Sequence, residues 1–261
     1  MLSAPLLTAV LLATPVQDPP AESVGVDAAA LQTARQRGAA FLKTTQSADG
    51  TWPSRVPAGI TALAVSALRA AGLPNDDPAV AKGLAAVAGF AQEDGRIAAE
   101  GSRLVGYETA ICVSTLADAD AEKYADILKR ADGFLRGLQF DEESGSTPDD
   151  PAYGGAGYGP PGGRGSRPDL SNTAYLIEAL RAAGAEENDP AIQKALIFVS
   201  RSQNLEGAGN DTAFASKIND GGFYYTPTGS GSSPAGETEN GGLRSYGSMT
   251  YAGLKSMVYA G

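Results

Sequence analysis

The segment ITALAVSALRAAG, Ile60–Gly72, returns as NTAYLIEALRAAG, Asn172–Gly184, and the likeness runs on past the glycine. GLPNDDPAVAKGL aligns without a gap on GAEENDPAIQKAL, so 13 of the 24 positions from Thr61 to Leu84 match those from Thr173 to Leu196. A repeat of this kind restricts the fold more than composition does. It implies one supersecondary unit used several times, each copy hiding its apolar face on the next. SMTYAGLKSMVYAG, Ser248–Gly261, is a third copy, and ETAICVSTLADAD, Glu108–Asp120, is a weaker fourth. In each, a threonine (Thr61, Thr109, Thr173 or Thr250) stands eleven residues ahead of the last residue, which is Gly in three copies and Asp120 in the other.

A second pattern interleaves with the first: an apolar pair with a Gln shortly after it. It reads FLKTTQ at Phe41–Gln46, VAGFAQ at Val87–Gln92, FLRGLQ at Phe134–Gln139 and FVSRSQ at Phe198–Gln203. Together the two patterns describe helical hairpins. Asp77-Pro78 and Asp189-Pro190 predict an N-cap followed by proline in the first helical position. Gly72 and Gly184 predict left-handed helix stops, which only Gly adopts without steric cost. The first helix of each hairpin (type A) is Ala-rich and nearly apolar around its circumference, as suits a helix buried on most sides. The second (type B) mixes Lys, Arg and Glu with one apolar stripe, as suits an outer layer. The expected fold is all-α, with A helices in an inner ring and B helices outside.

The connections are uneven. A-to-B turns are short, whereas the B-to-A loops at 140–170 and 204–247 are long and rich in Gly, Ser, Pro and Tyr. Alternate helices run in opposite directions, so the long loops gather at one end. Long loops without regular structure in a compact domain tend to carry function. A site is therefore expected at the N-terminal ends of the A helices, in a central cavity beneath those loops.

Composition removes several kinds of chemistry. The chain of 261 residues has no His and one Cys, Cys112. Serine–histidine and cysteine–histidine catalysis, His-dependent zinc sites and intrachain disulfides are thus excluded. No cofactor or metal is expected. A net charge of −10 without basic runs argues against a nucleic-acid partner and against docking on anionic membranes. No segment reaches the roughly 18 apolar residues of a membrane span. The apolar run Leu6–Leu12, followed by a polar, Pro-rich stretch, predicts an export signal over residues 1–17, although a basic start is missing. Residues 18–26 would be a linker and 27–261 the repeat domain, in a protein exported to the periplasm or the cell exterior.

RGAAFLKTTQSADGTW, residues 37–52, resembles the QW motif of squalene–hopene cyclases and their relatives. These share an α/α-toroid with protein prenyltransferase β subunits, the terpene cyclase and prenyltransferase superfamily. Through the repeats the resemblance covers residues 27–261. Only the first copy has the full Gly-x-Trp ending; in AYGGAGYG (152–159) and NDGGFYY (219–225) insertions displace it. The resemblance implies inner helices around an apolar cavity, and Gln46, Gln92, Gln139, Gln203 and Trp52 tying one hairpin to the next. It also implies an apolar or lipid-like small-molecule ligand. The cyclase acid motif Asp-x-Asp-Asp does not carry over: PNDDP, ADADAE and PDDP lack its spacing. The prenyltransferase zinc site needs a His, and Asp-Asp-x-x-Asp is absent. The hairpins are fewer than in a closed toroid and no B helix follows the last A helix, so further repeats are expected beyond Gly261.

Candidate site residues follow from the starts of the A helices. RPDLSNTAY places Asp169, Asn172 and Tyr175 at one start, GYETA places Tyr107 and Glu108 at another, and SYGSMTY places Tyr246, Ser248 and Tyr251 at a third. Tyr107, Asp169, Asn172, Tyr175, Tyr246, Ser248 and Tyr251 are the expected ligand-binding rim, against the plainer reading of Asp169–Asn172 as a helix cap. Glu108, Asp169 and Glu178 are the candidate acids, since a buried carboxyl with a raised pKa can donate a proton. The structural alternative is that Glu108 and Glu178 pair with Arg69, Arg181 or Arg244. Cys112 is a small core residue. The loop aromatics Tyr153, Tyr158, Phe223, Tyr224 and Tyr225 either stack on ligand or pack the loops onto the ring. Three functions remain open: a non-catalytic binder of an apolar or extended ligand, a cyclase- or transferase-like enzyme with its acidic motif outside this sequence, and a scaffold for protein contacts.

Overall fold

A computed structural model describes residue 25 and residues 27–163, 166–207 and 209–259. The expected export signal and nearly all of the expected linker lie outside the described residues, as does Gly261. Among the described residues there are nine α-helices and no strand longer than isolated bridges. They are α1 (Ala28–Thr45), α2 (Pro57–Ala70), α3 (Pro78–Gly89), α4 (Val105–Asp120), α5 (Ala125–Arg136), α6 (Leu170–Ala182), α7 (Pro190–Arg201), the short α8 (Ala215–Ile218) and α9 (Gly247–Tyr259). None is long and apolar enough to cross a membrane.

The architecture is that of an α/α toroid, drawn as an arc. The A helices α2, α4, α6 and α9 form a row in which each packs on the next. The first three also pack on the B helix of their own hairpin (α2 on α3, α4 on α5, α6 on α7), and all four pack on the B helix before them. The B helices α1, α3, α5 and α7 have no comparable contact with one another. In a curved double layer the members that touch lie inside and the splayed ones outside, so the Ala-rich helices are the inner layer. Small residues permit the close approach: Ala58, Ala62, Cys112, Ala179 and Thr173 are fully buried. Nothing comparable joins α2 to α9, the two ends of the row.

Local signals act where the sequence places them. Asp77 and Asp189 accept the backbone N–H of Ala79 and Ala191 at 2.9 Å each, ahead of Pro78 and Pro190. Gly72 and Gly184 take φ of 95° and 101°.

The four repeated threonines share one task. Thr61, Thr109, Thr173 and Thr250 each accept, through the hydroxyl oxygen, a backbone N–H from the loop that precedes their helix: Trp52 (3.3 Å), Ile97 (3.0 Å), Ala156 (3.0 Å) and Phe223 (3.2 Å). Those loops share a closed turn. Ser47, Gln92, Phe140 and Asn204 accept the N–H of Gly50, Gly95, Gly154 and Gly221, every one of these glycines at positive φ. At Gly154 a side chain would run into the Lys194 carbonyl, so Gly is required for close approach as well as for conformation.

This turn fixes the register of the glutamines. Gln46 Nε2 donates to the Gly50 carbonyl (3.0 Å) and to Ala79 (2.9 Å) in the first turn of the next outer helix. Gln139 repeats this with Gly154 (2.9 Å) and Ala191 (2.8 Å), and Gln203 bonds Gly221 (2.8 Å). Trp52 is buried and donates its indole N–H to Leu42 (3.0 Å). The second copy differs from the sequence reading. There Ala91 stands in the place of Gln46, and Gln92 comes one residue later, so its side chain donates to Ala98 (2.9 Å) within its own loop.

Candidate functional site

The N-terminal ends of α4, α6 and α9 meet the long loops, and five tyrosines collect there. Tyr107 on α4 meets Tyr175 on α6 edge-on, with ring centroids 5.2 Å apart and an interplanar angle of 87°, and approaches Tyr158 from the loop at 6.4 Å. Tyr225 lies beside both Tyr158 and Asp169, and Tyr246 comes near Asp169 from the segment before α9. All five rings are half-buried. Asp169 is 2 % exposed and caps α6: one carboxylate oxygen accepts the Asn172 backbone N–H at 2.9 Å, the other the Asn172 amide at 2.7 Å. The Asn172 Oδ1, also buried, has no hydrogen-bond donor among the described residues.

The electrostatics follow from burial. Desolvation pushes the Asp169 carboxyl above the usual range, against the pull of hydrogen bonds from Asn172 and Tyr225. Burial, together with Tyr175 and Tyr158, raises Tyr107 to about 12. Burial and the Asp169 charge raise Tyr225 and Tyr246 in turn. These phenols are neutral at any ordinary pH.

Of the expected rim, then, Tyr107, Asp169, Asn172, Tyr175 and Tyr246 come together. Ser248 and Tyr251 sit apart, along a groove between α6 and α9. That groove holds about 220 Å³ and is lined among others by Ser171, Tyr175, Glu178, Ser248, Tyr251 and Lys255. Glu178 also borders a second hollow of about 450 Å³ with Asp118, Arg181, Val258 and Tyr259, so the two share a wall on the inner side of the arc. Both are open to solvent, where an enclosed central cavity was expected. Tyr175 belongs to the groove and to the tyrosine cluster at once, and links them. A hollow of about 740 Å³ lies elsewhere, against α5 and the α6–α7 turn, and is crossed by the Arg136 ion pairs with Asp132 and Asp189.

The candidate acids resolve differently. Glu108 is fully buried and works between helices: it accepts the Gly59 N–H (3.2 Å) at the first turn of α2, where Val56 offers no side-chain cap, and the Ser102 hydroxyl. Among the described residues it pairs with no arginine. Glu178 pairs with Lys255 at 2.7 Å, not with an arginine. Arg69 instead pairs with Asp118 and bonds Asn75, Arg181 bonds the Ala185 carbonyl, and Arg244 bonds that of Glu237. Cys112 is buried in the core, its thiol pushed well up by desolvation. Among the described residues no three His, Cys, Asp or Glu side chains are placed to hold a metal ion.

Sequence reasoning left Tyr158 and Tyr225 out of the rim. They lie in separate long loops, and only the folded loops bring them together; recurrence of Tyr in Gly-rich loops was the available signal. Tyr153 binds the Glu142 carboxylate and Tyr224 the Arg201 carbonyl, so these two pin loops.

No protein-family model and no curated protein matches the chain. Among solved structures it is similar to a type II terpene cyclase from Scytonema in complex with the product merosterolic acid A, at 19% identity and a TM-score of 0.45. The match covers 68% of this chain and 51% of that one, so it spans about half the length of that structure.

Proposed function

We propose that the chain is an exported binding protein that holds an extended, largely apolar molecule along the inner side of the helical arc, without cyclase acid chemistry. The groove between α6 and α9 carries this reading. Its wall combines the rings of Tyr175 and Tyr251 and the methyl of Ala252 with one ion pair, Glu178–Lys255, and it adjoins a second hollow walled by Val258 and Tyr259. Apolar and aromatic surface with a few fixed polar groups suits a ligand of that kind.

The carboxyls favour binding over catalysis. An alkene-protonating acid needs a carboxyl kept neutral in a dry pocket with nothing stabilising its anion. Glu178 has a lysine partner, Glu108 serves as an interhelical cap, and Asp169 accepts two hydrogen bonds from Asn172. Extraction and mass spectrometry of molecules that co-purify with the protein tests the proposal. An amphiphile present in wild type and depleted in a Tyr175→Ala/Tyr251→Ala double variant is expected. Conversion of added polyprenoid to a cyclic product would refute it, as would wild-type protein empty of ligand.

A further inference from the structure

The tyrosine cluster at the loop end of the groove is built to receive positive charge. Asp169 is almost fully buried, yet among the described residues no Lys or Arg lies within ion-pair distance of it. A buried carboxylate held only by neutral donors lacks the counter-charge that ordinarily offsets its desolvation. Beside it the Asn172 amide nitrogen is committed to Asp169, which leaves Oδ1 as a buried acceptor with no donor among the described residues. Both oxygens present negative potential to whatever adjoins them, which a positive charge offsets. Tyr225 and Tyr246 adjoin the carboxyl, with Tyr158 and then Tyr107 beyond Tyr225, and tyrosine ring faces attract cations. The net charge of −10 draws cations toward the site and repels anions.

We infer that this cluster is a head-group site for an organic ammonium ion, so that the ligand of the groove is a long-chain amine or quaternary ammonium compound. The inference rests on the groove reading for the chain, and on Asp169, Asn172 and the tyrosines for the head. Tyr175, shared by groove and cluster, sets where chain meets head. An anionic head is repelled by the buried carboxylate, and a neutral head leaves its charge uncompensated.

Titration calorimetry with octyltrimethylammonium, octanol, octanoate and tetramethylammonium, all below micelle concentrations, separates the elements. The long-chain cation is expected to bind roughly tenfold tighter than octanol, with octanoate weakest. Asp169→Asn keeps a side chain that caps a helix equally well but removes the charge. It should reduce the long-chain cation to the level of octanol and abolish tetramethylammonium binding. Equal binding of cation and octanol overturns the head-group inference and leaves the groove reading standing. An Asp169→Asn variant that retains the preference for the cation also overturns it. Tetramethylammonium binding that is lost in Asp169→Asn, with no binding of octanol, supports the head site and refutes the groove. No heat with any probe refutes both.

Discussion

Replacing Gln139 by Met tests whether the glutamines hold the hairpins together. Gln139 is 2 % exposed and its amide bridges two elements, the Gly154 turn and the first turn of α7. Met has similar length and volume and can occupy the same space, so the cavity contribution is small. The two lost hydrogen bonds remove roughly 1 kcal/mol each, and the Gly154 carbonyl, left dry, adds roughly another 1 kcal/mol. The sum is about 3 kcal/mol, a fall in Tm of roughly 6 to 12 °C for a domain of this size. Gln92→Met is the internal control. That side chain is half-buried and makes one bond, within its own loop, so it should cost about 1 kcal/mol and roughly 2 to 4 °C. Urea unfolding followed by circular dichroism measures both, with an unchanged m-value required for the comparison. Equal losses in the two variants would refute the reasoning, because they would mean that the bond to the neighbouring outer helix contributes nothing.

Gly154→Ala should destabilise far more than Gly145→Ala. Both residues have positive φ, but a Cβ at 145 meets open space and one at 154 meets the Lys194 carbonyl, so about 1 kcal/mol is expected at 145 and more than twice that at 154 by the same assay. Asp189 is held below its ordinary pKa by Arg136, so its stabilising effect is present above pH ~4 and lost as pH falls through the lower folded value. The Tm gap between wild type and Asp189→Asn should accordingly narrow as pH falls from ~4 through that lowered value. Asp169 has the opposite sign: its folded pKa is raised by burial, so it loses stability as pH rises from ~4 through the folded value. Asp169→Asn should therefore match wild type at low pH and equal or exceed its Tm at neutral pH. A neutral-pH loss would contradict the account of Asp169 as a strained, functional carboxylate.

The frame was legible because it is periodic. Thr61, Thr109, Thr173 and Thr250 could be aligned by spacing alone, and the Asp-Pro and Gly signals mark helix ends through local chemistry that needs no tertiary information. Gln92 misled because spacing counts residues along the chain, while its role depends on which residue the Gly95 N–H bonds; a slip of one was invisible. Glu108 looked like an acid because its partner, the Gly59 N–H, is a main-chain group that no sequence pattern advertises. The rim was half readable. Tyr107, Tyr175 and Tyr246 sit in or just before helix starts that the repeat locates, whereas Tyr158 and Tyr225 arrive through loops whose path depends on long-range contacts. The open groove was not foreseen, because the spacing of helices around an arc is set by side-chain volumes summed over every neighbour.

The threonine-to-loop bond has a consequence for how such a chain can change. The same pair of main-chain bonds closes the turn whether the intervening chain is 48–49, as in the first copy, 141–153, as in the third, or 205–220, as in the fourth. Each junction thus works as a socket: the clamp keeps its two main-chain bonds however much chain is strung between its ends, even where a longer insert also bonds a helix, as Asp141 and Glu142 do to Lys194 and Asp211 does to Arg201. Segments exchanged at Ser47/Gly50 or Gln92/Gly95 should be accepted as cassettes, so that new recognition surfaces can be fitted at the mouth of the arc while the helical frame stays as it is.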